Sequence, residues 1–333
     1  MIVERKLNHF RICLEEGVEV GSAGFENYSF THNALPEIDF DKIDTSVKFL
    51  RKELKAPILI SPMTGGTKQA TLINRNLAKA AQKVGVAMAV GSQRVAIEKP
   101  SLAKTFQVRK FAPDILLFAN LGAVQLNYGF GVKECRQAVE MIEADGLILH
   151  LNPLQEVIQP EGNTDFSGLL EKIKKIARQL KVPLIVKEVG VGISGKVAQK
   201  LFQAGVEIID VAGWGGTNWA LIEGIRAGNE EIGELFAHWG IPTAEAISQC
   251  AEIKGLIVIG SGGIRNGIEI AKALALGANL VGIALPFLKP ATHSVKAVEK
   301  KLQSLISQLK TVMFCLGVKN IDELKKVKLI SKV

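Results

Sequence analysis

The sequence predicts an α/β chain wound as a closed (β/α)8 TIM barrel, with an extra N-terminal arm and an insertion between the sixth and seventh strands. Three observations carry this. Eight short apolar, often β-branched runs recur along the chain. Amphipathic segments of helical period separate most of them. The residues just after each run are polar, charged or glycine, whereas those just before are ordinary.

The runs are Pro57–Ile60, Val86–Val90, Ile115–Ala119, Gly146–Leu149, Pro183–Val186, Glu207–Val211, Leu256–Ile259 and Leu280–Ala284. Apolar on both faces, they read as parallel strands covered on each side. Helical spacing marks Thr71–Val84, Glu134–Glu143, Leu169–Leu180, Gly195–Ala204 and Gly267–Leu276 between them. Eight such units, with helical segments between most of them, favour closure over an open sheet. The 333 residues exceed the roughly 250 that a barrel typically uses. Residues 1–50 read as an irregular polar arm, expected to be mobile until an anion binds because little apolar periodicity is left to pack it. Residues 56–315 form the barrel, Trp214 to Gly255 an insertion, Ala291–Phe314 a closing helix, and 316–333 a basic tail. No linker divides the chain, which reads as a single domain over 1–333.

Composition narrows the function. Hydrophobic residues make up 47%, enough for a large core. No apolar run approaches the roughly 18 residues of a membrane span, and the first residues, Met1 to Lys6, contain no secretory apolar region. The four cysteines are far apart, which disfavours zinc sites and disulfides and fits a cytoplasmic location. The net charge of +8 accompanies only 6% aromatics and no basic stretch interleaved with them. Nucleic-acid binding is therefore disfavoured, and a phosphorylated metabolite is the better reading of the surplus.

Barrel active sites form at the C-terminal ends of strands, so the polar followers are the candidate site. Gly260-Ser261-Gly262-Gly263-Ile264-Arg265-Asn266-Gly267 leads from the seventh strand into a helix. Its glycines let backbone N–H groups approach a phosphate, and the helix start adds positive potential. Lys187 ends an otherwise apolar strand; it suits an anionic cofactor such as a reduced flavin, or equally a Schiff base. Trp214 and Trp219 flank glycines in a manner better suited to a ligand than to a core. His150 is the one histidine at a strand end, and it opens the stretch His150-Leu151-Asn152-Pro153-Leu154-Gln155-Glu156. Glu156 is a hard oxygen ligand able to hold Mg²⁺ against a diphosphate, although a solvated loop carboxylate is the commoner fate of such a residue. Gln155 is uncharged and needs a relay partner to carry a proton. Arg5-Lys6-x-x-His9 brings three groups to one face of a helical turn, against the alternative of a solvated basic end.

Taken together, Arg5-Lys6-x-x-His9, Pro62-Met63-Thr64-Gly65-Gly66, Gly91-Ser92-Gln93-Arg94, the His150–Glu156 stretch, Lys187-Glu188-Val189-Gly190, Gly213-Trp214-Gly215-Gly216-Thr217-Asn218-Trp219 and Ser261-Gly262-Gly263-Ile264-Arg265 resemble type 2 isopentenyl-diphosphate isomerase. The resemblance runs from residue 5 to about residue 288. The glycine-rich pieces are shared with other FMN barrels, whereas the His150–Glu156 stretch and the N-terminal cluster are specific. It implies interconversion of isopentenyl and dimethylallyl diphosphate with FMN, Mg²⁺ and a reductant such as NADPH, in a homotetramer or larger assembly. Carried over, Pro62, Met63, Thr64, Ser92 and Asn120 line the flavin, and Lys187 compensates its reduced ring. Thr217, Gly262, Gly263, Arg265, Ala284 and Leu285 sit near the ribityl phosphate. Arg5, Lys6, His9, Ser92, Gln93, Arg94, His150, Asn152 and Trp219 hold the substrate, Glu156 binds the metal, and Gln155 lies over the reacting carbons.

Two related chemistries lack their essential group. A 2-hydroxy-acid oxidase needs a histidine where the chain reads Gly260 to Arg265, and an inosine-monophosphate-dehydrogenase-like barrel needs a cysteine in the Gly213–Thr217 loop. Another FMN-dependent barrel oxidoreductase, and a non-enzymatic phosphate-binding barrel, remain the alternatives.

Overall fold

The protein is described by a computed structural model covering residues 2–332. Eight strands, Ile58–Ile60 (β1), Ala87–Ala89 (β2), Leu117–Gly122 (β3), Gly146–His150 (β4), Leu184–Lys187 (β5), Ile208–Asp210 (β6), Ile257–Ser261 (β7) and Leu280–Ile283 (β8), pair in parallel in chain order, and β8 closes on β1. The seven expected connections and the closure are all present. β3 is displaced most, beginning two residues later than expected and running on through Asn120 to Gly122, while β5 and β7 also begin one residue later and end one and two residues later.

Side chains alternate along each strand. Leu59, Ala87, Phe118, Ile148, Ile185, Ile208, Ile259 and Leu280 form the barrel interior, while Ile58, Ile60, Leu147 and Leu149 belong to the core beneath the helices. This is the period of two that a closed sheet requires. The interior cluster includes Phe49 and Leu54 from a hairpin, Val47–Phe49 and Lys52–Leu54, within and just beyond the stretch expected to be irregular. Lys52 Nζ donates to the Ile115 carbonyl at 2.8 Å and stands 3.0 Å from Asp145 Oδ1, at the entrances of β3 and β4. The hairpin therefore plugs the N-terminal end of the barrel and leaves the C-terminal end for chemistry.

The arm departs most from expectation. Ile2–Glu15 is a helix. It packs on a second helix, Trp219–Ala227, through a cluster of Ile12, Cys13, Val18, Trp219, Ile222 and Leu285. Ile12 and Ile222 are buried. The apolar stripe is too narrow to stand out in a charged segment, and tertiary docking supplies what periodicity does not. Beyond it, Val18 accepts from the Asn218 backbone N–H at 2.8 Å, and Glu19 bridges to Thr217.

The Trp214–Gly255 stretch resolves into two added helices, Trp219–Ala227 and Glu230–Leu235, and the ordinary barrel helix Thr243–Ala251. The closing helix is two helices, Leu285–His293 and Val295–Leu316, divided where Ser294 caps the second through its side chain. In the basic tail, Ile330–Ser331 pairs antiparallel with Tyr28–Ser29. Among the described residues no helix is long and apolar enough to cross a membrane.

Candidate active site

One cavity of about 260 Å³ opens at the C-terminal ends of the strands, beneath the arm helix. Every residue that the resemblance places in the site lines it except Gln93. Trp214 also lies outside it: its ring packs against Gly21 and Gly240 and its Nε1 donates to the Ala237 carbonyl at 2.8 Å. Gln93 turns away from the cavity. Its Nε2 donates to the Ala138 carbonyl at 2.8 Å and its Oε1 accepts from the Asn120 N–H at 3.0 Å, so its fully buried side chain locks β3 to the helix behind it. Local polarity marked the strand end correctly but did not give the direction of the side chain.

The ends of β4, β5 and β6 stand in register, with His150 beside Lys187 and Lys187 beside Asp210. Lys187 is buried; its Nζ donates to the Glu188 carbonyl at 2.7 Å and lies 3.6 Å from Asp210 Oδ2. Burial raises the Asp210 pKa against the pull of Lys187 and Ser261. His150 Nδ1 is 2.7 Å from Asn120 Oδ1, an acceptor, which puts the ring proton on Nδ1. Burial, then the charges of Lys187 and Lys6, push its pKa down to about 3. His150 thus faces the cavity as a neutral ring with an Nε2 lone pair, and meets a phosphate oxygen as a donor only after taking a proton.

Across the cavity the loops after β6 and β7 touch backbone to backbone. A Cβ at Gly262 would strike the Gly213 carbonyl and one at Gly263 the Gly215 carbonyl, and both glycines have positive φ (107° and 68°). Arg265 stands at this cradle, and Asn266 caps the helix Gly267–Ala275 that follows. Glu19 is ion-paired with Arg265. Ser61 Oγ is buried in the cavity wall with no hydrogen-bond partner. Glycine backbone, a guanidinium, a helix start and an unpaired hydroxyl fit the phosphate and polyol of a nucleotide-like cofactor such as FMN.

The third wall is the turn after β4. Pro153 starts the helix Pro153–Ile158, which stacks Asn152, Gln155, Glu156 and Gln159 together. Asn152 Nδ2 donates to Glu156 Oε1 at 2.9 Å and to Gln155 Oε1 at 3.0 Å, while Asn152 Oδ1 is buried without a partner. Glu156 Oε2 accepts from the Asn163 N–H at 2.6 Å. Among the described residues no cluster of three or more His, Cys, Asp or Glu could hold a metal alone. One carboxylate with an unpartnered amide oxygen suits a cation that completes its shell with water and ligand phosphate, the habit of Mg²⁺.

The arm closes the cavity with Arg5, Lys6, His9, Phe10 and Cys13. Lys6 Nζ donates to the Ser92 carbonyl at 2.9 Å and lies 5.1 Å from the Phe106 ring centroid. Burial, then the Arg5 charge, bring the Lys6 pKa down to about 7. An anion bound there restores the ammonium, so affinity for pyrophosphate weakens as pH rises above 7, by up to about tenfold per unit. Calorimetric titration from pH 7 to 9 tests this; a Lys6→Met variant with the same slope removes Lys6 as the cause.

Sequence reading missed Glu223, the hydrogen-bond partner of Gln155. Glu223 is fully buried in Trp219–Ala227 and receives a 2.8 Å hydrogen bond from Gln155 Nε2 and a 2.6 Å bond from Arg226 Nε. His9 Nε2 is 2.9 Å from Glu223 Oε1, though poorly aligned for a hydrogen bond. Burial pushes the Glu223 carboxyl up, but His9, Gln155 and Arg226 outweigh it and hold the pKa below the usual carboxylate range. A carboxylate within the apolar Trp219-Ala220-Leu221-Ile222-Glu223 run was the available signal.

A glycine cradle formed by the loops after β6 and β7 of a (β/α)8 barrel, with a buried lysine lining the same cavity, fits a flavin-type barrel. Consistent with this, residues 14–108 and 151–331 match the FMN-dependent dehydrogenase family. The fold resembles flavocytochrome b2 (TM-score 0.72, 18% identity, covering 97% of this chain and 82% of that one) and an (S)-mandelate dehydrogenase (TM-score 0.70, 17% identity, 99% and 97%). The chain is 55% identical over 327 residues to an isopentenyl-diphosphate delta-isomerase of Nostoc sp., covering 96% of this chain and 93% of the relative. It is 50% identical over 332 residues to one of Rickettsia bellii, covering 98% and 97%. The chain belongs to the isopentenyl-diphosphate delta-isomerase family and is an enzyme of that family.

Proposed function

We propose that the enzyme interconverts isopentenyl and dimethylallyl diphosphate, with reduced FMN over the Lys187 end of the cavity and Mg²⁺ at Glu156. The observation that carries this is the convergence of three features in one cavity: the glycine cradle, the Asn152–Gln155–Glu156 turn and the cationic arm. In this reading NADPH keeps the flavin reduced, and the chain works as a cytoplasmic homo-oligomer, a tetramer or larger.

The reaction adds a proton to the terminal methylene and removes one from C2, with no net redox change. Its transition state has carbocation character, so the diphosphate must be gripped and water excluded. Arg5, Lys6 and Arg94 grip the diphosphate as cations, and Asn152 and Ser92 add hydrogen bonds. Met63, Phe10, Trp219 and Leu288 supply apolar walls against water. Lys187 balances negative charge on the cofactor, and Gln155, bonded to Glu223, orients the group that carries the proton. Reduced FMN, when bound, would supply an N5 proton site and an electron-rich ring.

The test is anaerobic incubation of purified protein with isopentenyl diphosphate, FMN, Mg²⁺ and NADPH. Dimethylallyl diphosphate should form, and the protein should carry a flavin absorbance. A colourless protein that takes up no added FMN overturns the proposal.

A further inference from the structure

Arg226 lies outside the cavity lining, yet it joins two parts of the substrate wall that are far apart in sequence. Its Nε donates to Glu223 Oε2 at 2.6 Å, while Nη1 and Nη2 donate to Glu161 at 3.0 and 2.6 Å. The planar guanidinium thus spends one edge on each carboxylate, an arrangement an ammonium cannot copy. The Arg226 side chain is only 9% exposed and Glu223 is fully buried, so the inner pair is shielded from solvent. Glu161 is half exposed, and a surface pair of that kind would by itself contribute little to stability.

What distinguishes this pair is where the Glu161 backbone goes. Glu161 belongs to a loop that doubles back on the Pro153–Ile158 helix. The next residue, Gly162, bonds to the Gln159 carbonyl at 2.9 Å, and a Cβ on it would collide with the Glu156 carbonyl. The residue after, Asn163, donates its backbone N–H to Glu156 Oε2 at 2.6 Å. Its Oδ1 accepts from Arg94 Nη1 at 2.9 Å. On the other side of the guanidinium, Glu223 holds Gln155.

We infer that Arg226 is a positioning residue: it clamps the Glu161–Asn163 loop to Glu223, so that the orientation of Glu156 and the orientation of Gln155 are set together. This rests on the proposed Mg²⁺–diphosphate site but concerns only the chain's own groups. Groups placed behind metal ligands typically change metal affinity by about 10–100-fold when removed.

The test uses the FMN-loaded protein and calorimetric titration with Mg²⁺–pyrophosphate. Arg226→Met and Glu161→Gln should each weaken binding by about tenfold. The double variant should be no weaker than Arg226→Met alone, because both act through one link. Arg226→Lys, which restores the charge but not the fork, should recover less than half of the loss on a logarithmic scale. FMN affinity and the far-ultraviolet spectrum should match wild type throughout, separating clamping from misfolding. In turnover, Arg226→Met should lower kcat and leave the FMN requirement unchanged. Wild-type pyrophosphate affinity in Arg226→Met, additive losses in the double variant, or full recovery with lysine each overturn the clamp. If wild type binds Mg²⁺–pyrophosphate and shows the coupling but does not isomerise isopentenyl diphosphate, the clamp stands and the proposed function falls.

Discussion

Glu223→Gln should lower kcat for isopentenyl diphosphate by about 10²–10⁴-fold, the range a positioned acid–base group contributes. The substitution keeps the volume of a fully buried side chain, so FMN binding should persist. What it removes is the charge behind Gln155. An amide cannot exchange protons near neutral pH without a partner, and Glu223 is the partner that Gln155 Nε2 touches. Gln155→Ala should produce a loss of similar size. The check is steady-state turnover with pre-reduced FMN, alongside flavin titration. Full turnover in either variant would remove that residue from proton handling.

Glu156→Gln should cost about 10²-fold in kcat and abolish the response to Mg²⁺, and chelation of wild type should have the same effect. Glu156 is the carboxylate among the described lining residues, and its oxygens are held by Asn152 and Asn163. A glutamine retains the acceptor of one hydrogen bond but not the charge that draws the cation. Activity followed against Mg²⁺ concentration decides this. Turnover unaffected by chelator would show that the metal assignment is wrong.

The barrel was legible because eight β-branched runs buried on both faces have few other uses, and because the polarity of each run's end is a local property. The cavity residues at strand ends followed from it. Side-chain direction did not: Gln93 occupies a strand end like its neighbour Ser92, yet packing against Ala138 turns it inward. Nor did elements whose order depends on docking. The arm helix is mostly charged, and Ile12 and Cys13 acquire a core only when Ile222 and Trp219 arrive from two hundred residues away. The hairpin that carries Phe49 and Leu54 is too short for periodicity to reveal. Glu223 was hidden for the same reason, since a helix within an insertion gives no hint of which wall it will meet.

The arm helix and the segment after it have a consequence for traffic through the enzyme. The helix lies over the cavity mouth, and the Val18–Glu19 bridge to Thr217 and Asn218 lies across the cradle. On the proposed function, a flavin in the cavity would have to leave past this cover, and a diphosphate held by Arg5 and Lys6 would keep the cover in place. The order of loading expected from the proposed function is flavin before diphosphate. Flavin dissociation should then become slower while the site is occupied by substrate or pyrophosphate, as expected if the arm were a kinetic trap for the cofactor.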